Sequence, residues 1–509
     1  MAAEQDIANR IPITGALMLA TLMNTLDGTI ANVALPHIQG SVSAAQDQVV
    51  WVLTSYIIAM AIMMPLSGWL AAKIGRKRMF LYSISGFTVA SMLCGLATSL
   101  PEIVVFRIFQ GLAGASLMPL SQTVMLDLFP PHMLPRVMSI WSAAIMLGPI
   151  AGPTLGGWLT DTLSWRWVFF INMPVGIAAF ALANTFMAPD PGGRQRPFDF
   201  MGFGTLTLFL GAFQLMLDRG AGQDWFGSGE IWTEASLAAL GFYLFIVHTI
   251  TVEHPFFPRE LMRDGNFLGG LSVSFFVGVL LFSTSAILPS FMQNLLGYSP
   301  LQSGYASVTR GIGSVISFVM IPMLIARIGA KPTLLIGVAF SSFSLWQMSK
   351  FNLLMSSDLI LVSGFLQGIG VGMMFAPVNM LTFATLSPTL RAEGTVLYSM
   401  VRNLGSGMGI SVVQAALTNQ SALGFSRLAE HVRPGNPALA GALPRGASPY
   451  ELHGLSMLRA QVMRQGSMLA YDTIFSWMAL FVLLLIPLII LLRRPPAQVK
   501  HTAADAAGD

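Results

Sequence analysis

Residues 73–77 read KIGRK, and residues 327–331 read RIGAK. Each pentapeptide closes one apolar stretch and opens the next. Each places a basic residue, an isoleucine, a glycine and a lysine at the same offsets. Two more matches follow in the same order. Gln110-Gly111 precedes Pro119, and Gln367-Gly368 precedes Pro377; then come glycine-rich stretches at 148–157 and 405–409. Paired glycines are common in membrane helices and carry little weight alone. Three matches in one order point to a duplicated half.

Of the 509 residues, 54% are apolar and only 10% are charged. Soluble domains carry roughly 25% charged residues, so this composition cannot cover a water-facing surface of that size. It argues against a soluble enzyme, a disordered chain and a nucleic-acid binder. The single cysteine, Cys94, lies in an apolar run, so no disulfide forms within the chain. The seven histidines show no metal-ligand spacing. Residues 1–10 hold Glu4 and Asp6 with only Arg10 as a cation, unlike a cleavable signal. The first apolar segment is expected to stay as an anchor.

A bilayer core about 30 Å thick needs about 20 apolar residues per helix. Fourteen spans are predicted, at 11–33, 49–72, 79–99, 102–125, 137–159, 167–187, 201–217, 231–251, 267–290, 303–326, 332–350, 358–382, 394–418 and 472–492. With the N-terminus inside, sixteen lysines and arginines fall in inside segments, among them Lys73, Arg76, Lys77, Arg78, Arg194, Arg196, Arg391, Arg493, Arg494 and Lys500. Short outside loops hold only Arg166, Arg219 and Lys350. The positive-inside rule then puts both termini in the cytoplasm. Spans 1–6 match spans 9–14, with two helices inserted between. Parallel repeats about an axis along the membrane normal are a transporter architecture.

The expected fold is all-α: two six-helix bundles, 1–187 and 266–492, around an insert at 188–265, with a cytoplasmic tail at 493–509. The one sizeable external segment, 419–471, holds Pro434, Pro437, Pro444 and Pro449 between helix-like stretches at 420–431 and 451–470. The second stretch has apolar residues at helical spacing, which suits a membrane surface or a partner. The basic loop at 73–78 reads as a topology signal and a lipid headgroup contact.

Asp27 lies in span 1, and it is the only acid placed deep in a helix. A carboxylate there costs roughly 2.5–3.5 kcal/mol, so it faces a cavity or a partner. Asp27 stands nine residues before Pro36, and Arg107 six residues after Pro101. At 1.5 Å per residue both lie about 9–13 Å deep, so the two can pair. Burial disfavours the carboxylate and a cation favours it. A group held between those effects can load and release a proton; the bland alternative is a permanent pair that only fixes packing. Gln110 shares the face of Arg107, and a packing hydrogen bond suits it as well as a substrate contact. Asn32, Arg310, Asn379, Arg402 and Asn403 are further polar candidates for a central cavity that is net positive. Such a cavity suits lipophilic neutral or anionic substrates better than dications. Most of the 32 Met and 34 Phe are expected to pack or face lipid. Gly148, Gly152 and Gly156 recur along one face of span 5, where a helix can pack closely. Pro149 and Pro153 bend that helix, which favours a gate over mere packing.

These motifs together resemble the fourteen-span drug:proton antiporters of the major facilitator superfamily, the EmrB/QacA-like group. The resemblance covers nearly the whole chain. It rests on LDGTIANVALP (26–36), GWLAAKIGRKR (68–78), RIFQGLAGA (107–115), GPIAGPTLGG (148–157), WRWVFFINMPVG (165–176) and QGSMLAYDTIF (465–475). The last is similar to the EmrB branch. The resemblance implies alternating access between two bundles in the cell inner membrane. It implies proton coupling through Asp27 and Arg107, and an antiporter motif of Gly148, Pro149, Gly152, Pro153, Gly156 and Gly157. It implies a cytoplasmic gate that includes Gly68, Gly75 and Arg76, with Asp127. It also implies a periplasmic adaptor protein and an outer-membrane channel as partners. There are two departures: Ala72 stands where the loop motif usually has an acid, and Arg310 stands where dication exporters carry one. The expected energy source is the proton gradient, with no cofactor. No phosphate-binding loop, HExxH or GxSxG is present, and an enzyme is not expected. The export of a single metabolite and proton-coupled uptake are the rival readings; the span 5 motif argues against uptake.

Overall fold

A computed structural model describes residues 2–130, 132–190, 192, 197–432 and 451–492. Arg194, Arg196, the tail 493–509 and the four prolines of the external loop lie outside the described residues. Helices occupy every predicted span. They are α1 (Ala2–Ser41), α2 (Trp51–Ile74), α3 (Arg76–Leu96), α4 (Leu100–Leu128), α5 (Leu134–Thr162), α6 (Trp167–Phe186) and α7 (Phe200–Gly220). Then come α8 (Gly229–Thr251), α9 (Gly265–Asn294), α10 (Pro300–Ile328), α11 (Ala330–Met348), α12 (Ser357–Phe383), α13 (Arg391–Ala429) and α14 (Leu452–Leu491). Short breaks interrupt α4 at Ala115-Ser116, α6 at Ile171 and α14 at Leu484. Eleven of these are long and apolar enough to cross a membrane. The exceptions are α1, α11 and α13; α13 is rich in glycine and serine. Large apolar side chains such as Phe109, Trp158, Val319 and Leu480 are exposed around the outside, as lipid-facing residues should be.

The predicted ends hold to within a few residues, with three exceptions. α1 begins earlier and runs on to Ser41. α13 and α14 run far beyond their predicted spans and absorb the helix-like stretches of the external segment. The stretch at 451–470 is therefore not a separate surface helix. No proline interrupts it before Pro487, so the hydrogen-bond ladder continues into the apolar part. Gly424 and Gly466 let the two extensions touch backbone to backbone.

The repeat is visible in the neighbours each helix chooses. α1 packs on α5, α2 on α4, α3 on α4 and α3 on α6. In the second half α9 packs on α13, α10 on α12, α11 on α12 and α11 on α14. The seats correspond as well. A Cβ on Gly111 would strike the Tyr56 carbonyl, and one on Gly368 the Arg310 carbonyl. Gly148 and Gly152 abut Thr25 and Thr29; Gly405 and Gly409 abut Phe275 and Val279. The halves meet where α5 touches α10 and α12, and where α2 and α4 touch α13. Inserted α7 lies on α2 and α13, while α8 packs on α7.

The pentapeptides now have a cause. Gly75 ends α2 at φ 92°, and Gly329 ends α10 at φ 88°. Side chains resist that region, so glycine lets each helix stop and the next begin within one residue. Replacing either with Ala should cost of order 1–3 kcal/mol. Gly75→Ala should cost more, because its Cβ would also strike the Asp190 carbonyl, whereas Gly329 has space. Thermal unfolding in detergent checks both; equal losses would refute the ranking.

Candidate functional site

Span 1 and span 4 bring Asp27 and Arg107 together, as their depths require. Arg107 Nη1 donates to Asp27 Oδ2 at 2.6 Å, and both side chains are fully buried. Arg107 Nε donates to the Val52 carbonyl at 2.8 Å, and Nη1 also to Gln110 Oε1 at 2.8 Å. Its guanidinium lies 4.1 Å from the Tyr56 ring centre. Gln110 Nε2 returns to Asp27 Oδ1 at 2.8 Å. Asn172 Nδ2 donates to the same oxygen at 3.1 Å and to Ser91 Oγ at 3.0 Å. Cys94 Sγ approaches Gln110 Oε1 at 3.7 Å. Arg107 Nη2 is buried without a partner.

Asp27 thus takes three donors, and both of its oxygens are engaged. Gln110 serves this pair. Asn172, Ser91 and Tyr56 were not foreseen as its neighbours. Asn172 sits inside WRWVFFINMPVG, so its signal was present as a lone amide in an apolar run. Asp27 is not the only acid inside a helix. Asp218 lies in α7, Glu234 in α8 and Asp472 in α14. Arg219 pairs with Glu230, and with Glu234 at 3.3 Å.

The motif on α5 is two-faced. Gly148, Gly152 and Gly156 receive Thr25, Thr29 and Ile30 of α1, the helix of Asp27. Thr29 Oγ1 donates to the Gly148 carbonyl at 3.0 Å. Gly157 makes only ordinary contact, with Val33. Between these glycines, Ile150 and Thr154 of α5 face Gly311 and Gly304 of α10. α5 continues as one helix through Pro149 and Pro153. It therefore joins the ion-pair helix to the other half.

At the end bearing the basic loops the halves are shut. Arg76 Nη1 reaches Asp127 Oδ2 at 2.6 Å, and Arg391 Nη1 reaches Asp127 Oδ1 at 2.9 Å. Asp127 thus holds one arginine from each half; Arg391 was counted only as a topology charge. Asp190 Oδ2 accepts from the Arg76 backbone N–H at 3.1 Å. Gly68 leaves room for Val396. Deeper in the seam, Gln122 Nε2 donates to Asn379 Oδ1 at 2.5 Å, and the Thr123 and Thr395 hydroxyls meet at 2.5 Å. Arg402 Nη2 points at Met118 Sδ, and Asn403 Nδ2 lies 3.9 Å from Met64 Sδ.

Asn379, Arg402 and Asn403 are therefore gathered at the closed seam, joined by Gln122. Arg310 stands apart and donates to Ser285 Oγ at 2.9 Å, Thr284 Oγ1 at 3.0 Å and the Leu281 carbonyl at 3.3 Å. Asn32 is exposed on α1. Among the described residues, neither Arg310 nor Arg402 pairs with a carboxylate.

The sequence profile of the Major Facilitator Superfamily matches residues 17–413. The chain belongs to the major facilitator superfamily. Over 503 residues it is 32% identical to the multidrug export protein EmrB of Escherichia coli K12, covering 96% of each chain. It is 34% identical over 493 residues to the fatty acid resistance protein FarB of Neisseria gonorrhoeae, covering 95% of this chain and 96% of that one. The structure of the human organic anion transporter MFSD10 shares the fold, with a TM-score of 0.60 at 13% identity over 94% of this chain and 99% of that one. The xylose symporter XylE does so at a TM-score of 0.58 and 17% identity, over 95% and 97%. The protein is a multi-pass membrane transporter related to the EmrB-type multidrug exporters, and not an enzyme. Transporters of this superfamily need no cofactor.

Truncating Arg107 to Ala leaves Asp27 buried without its cation, which costs about 3–5 kcal/mol. Adding Asp27→Asn should recover most of that loss. Thermal unfolding of the two single variants and the double variant checks this; additive losses would show that the side chains do not act as a pair.

Proposed function

We propose that the protein is a proton-coupled antiporter that exports lipophilic compounds, neutral or anionic, by alternating access. The observation that carries this is the buried Asp27–Arg107 pair on a helix seated against α5. Residues 1–187 and 266–492 act as the two moving bodies. The end bearing the basic loops faces the cytoplasm, and the membrane is the cell inner membrane. The conformer is then shut on the cytoplasmic side, by Asp127 with Arg76 and Arg391.

A proton from outside neutralises Asp27 and frees Arg107 from its charge. α1 loosens on α5, and α5 bears on α10, so the second body is released. The seam opens inward, the proton leaves and substrate binds. A potential of 100 mV supplies about 2.3 kcal/mol per charge, and one pH unit about 1.36 kcal/mol. Their sum, roughly 3.7 kcal/mol, supports a few-hundred-fold gradient of neutral substrate per proton.

The substrate class follows from charge. Arg310 and Arg402 are buried cations without acids among the described residues, and a buried charge is costly until it is paired. An anionic or neutral polar group suits them, and a dication does not. The name of FarB, a fatty acid resistance protein, fits a lipophilic anion of that kind. The extensions of α13 and α14 support a periplasmic adaptor as partner. α13 has 39 residues, about 58 Å at 1.5 Å each, against a core of about 30 Å. Leu423, Leu455 and Met463 are exposed on the extended parts.

In everted vesicles, adding a medium-chain fatty acid should release lumenal protons with the wild type and not with Asp27→Asn. Release by both would remove Asp27 from the coupling. Silence in both across a broad panel would favour a narrow-substrate carrier. Arg402→Gln and Arg310→Gln should each raise half-saturation for the fatty acid about tenfold, or ~1.4 kcal/mol, and leave a neutral drug nearly unchanged. Strict preference for dicationic dyes would refute the charge argument.

A further inference from the structure

The inserted helices have no counterpart in the repeat and no part in the cycle above. Yet α7 touches α2 on one half and α13 on the other, so it lies across the seam. In its last two turns, away from the basic loops, Gln214 and Asp218 stand one helical turn apart. Gln214 is buried, and its amide faces Gly407 of α13. Gln214 Nε2 donates to Asp218 Oδ1 at 2.9 Å. Thr54 of α2 adds a hydroxyl beside the carboxyl group. Asp218 Oδ2 is buried and, among the described residues, has no hydrogen-bond partner within 3.5 Å.

Among the described residues no cation answers this group. Arg219, its chain neighbour, is taken by Glu230 and Glu234 on α8. His248 of α8 is on Asp199 at 2.7 Å. Lys73 of α2 stands at the basic end over Trp69. On α13, Arg391 is on Asp127, Arg402 faces Met118, and Glu393 and Arg427 lie in the first and last turns. Asp224 sits in the turn beyond α7. An ionised carboxylate with one orphaned buried oxygen bears an uncompensated desolvation cost. The same group with a proton on that oxygen bears no charge and gains a donor.

We propose that Asp218 is a second proton-binding site, filled from the outer side, whose proton keeps α7 seated between α2 and α13. The proton adds to Oδ2, and the side chain passes from one negative charge to none. When the seam rearranges and water reaches Oδ2, the proton leaves. The insert then carries a titrating group of its own, independent of Asp27.

The test uses the full chain in lipid nanodiscs and difference infrared spectra of the carboxylic-acid C=O stretch through a pH titration. Asp218→Asn should remove a titrating component that Asp27→Asn leaves in place. Asp218→Glu should restore it at a shifted frequency. A spectrum unchanged by Asp218→Asn overturns the proposal. If the Asn variant does not fold, the Glu variant decides: a component that fails to shift overturns it equally. Loss of signal in Asp27→Asn alone leaves the antiporter reading standing and this one refuted. Loss in Asp218→Asn alone does the reverse.

Discussion

A carboxylate and a guanidinium can share the interior of a membrane protein only if each arrives with the other and both are wrapped in donors and acceptors. The bilayer core offers no water to repair a poor fit. Asp27 and Arg107 meet that demand through helix spacing. Gly111 lets α4 press on the Tyr56 carbonyl, which sets Arg107 against Val52 and the Tyr56 ring. Gly148 and Gly152 let α5 press on Thr25 and Thr29, either side of Asp27. Lipid supplies no hydrophobic drive to bring helices together, so close packing must do so. The glycines therefore hold the charges at bonding distance, and a change in one contact is felt in the other.

The same scaffold exists twice, yet the charge does not. The Gly405 and Gly409 seats make Val277 the counterpart of Asp27. The Gly111 and Gly368 seats make Gly364 the counterpart of Arg107 and Arg310 that of Tyr56. One half therefore holds a buried ion pair. The other holds arginines whose partners are hydroxyls, carbonyls, sulfur and rings. The two halves thus carry different charged groups on one packing pattern. Duplication kept the backbone contacts, which depend on small residues, and left the side chains between them free to diverge.

Much of this was legible because membrane helices impose simple arithmetic. Apolar runs of about 20 residues located the spans, and residue rise alone brought Asp27 and Arg107 to one depth. What arithmetic could not supply was azimuth. Nothing in the spacing shows that Asn172 and Ser91 turn toward Asp27, or that the Gln110 amide closes on both Asp27 and Arg107. Arg391 looked like a topology charge because its partner, Asp127, lies 264 residues away. The ends of α13 and α14 were misread because hydropathy falls where a helix leaves the membrane, while its backbone ladder continues. Ala72 signalled a missing gate acid, and Asp127 takes up the arginines from both halves.

The closed seam must be strong enough to exclude leaks and weak enough to open. A carrier needs its two forms within a few kcal/mol. The pairs at Asp127 are partly solvated, with side chains 22–32% exposed, and such pairs contribute roughly 0–1 kcal/mol each. Deeper in, the contacts are an amide pair, a hydroxyl pair and Arg402 among sulfur and ring faces. Ring faces and sulfur offset only part of the cost of burying a cation, and Arg402 Nη1 is left unpartnered. The shut form thus contains a deficit that an anion or water relieves once the seam parts. A carboxylate in that place would lock the shut form, and an alkyl chain would remove the reason to open. An arginine with no carboxylate partner among the described residues, set in the seam itself, therefore weighs against the shut form.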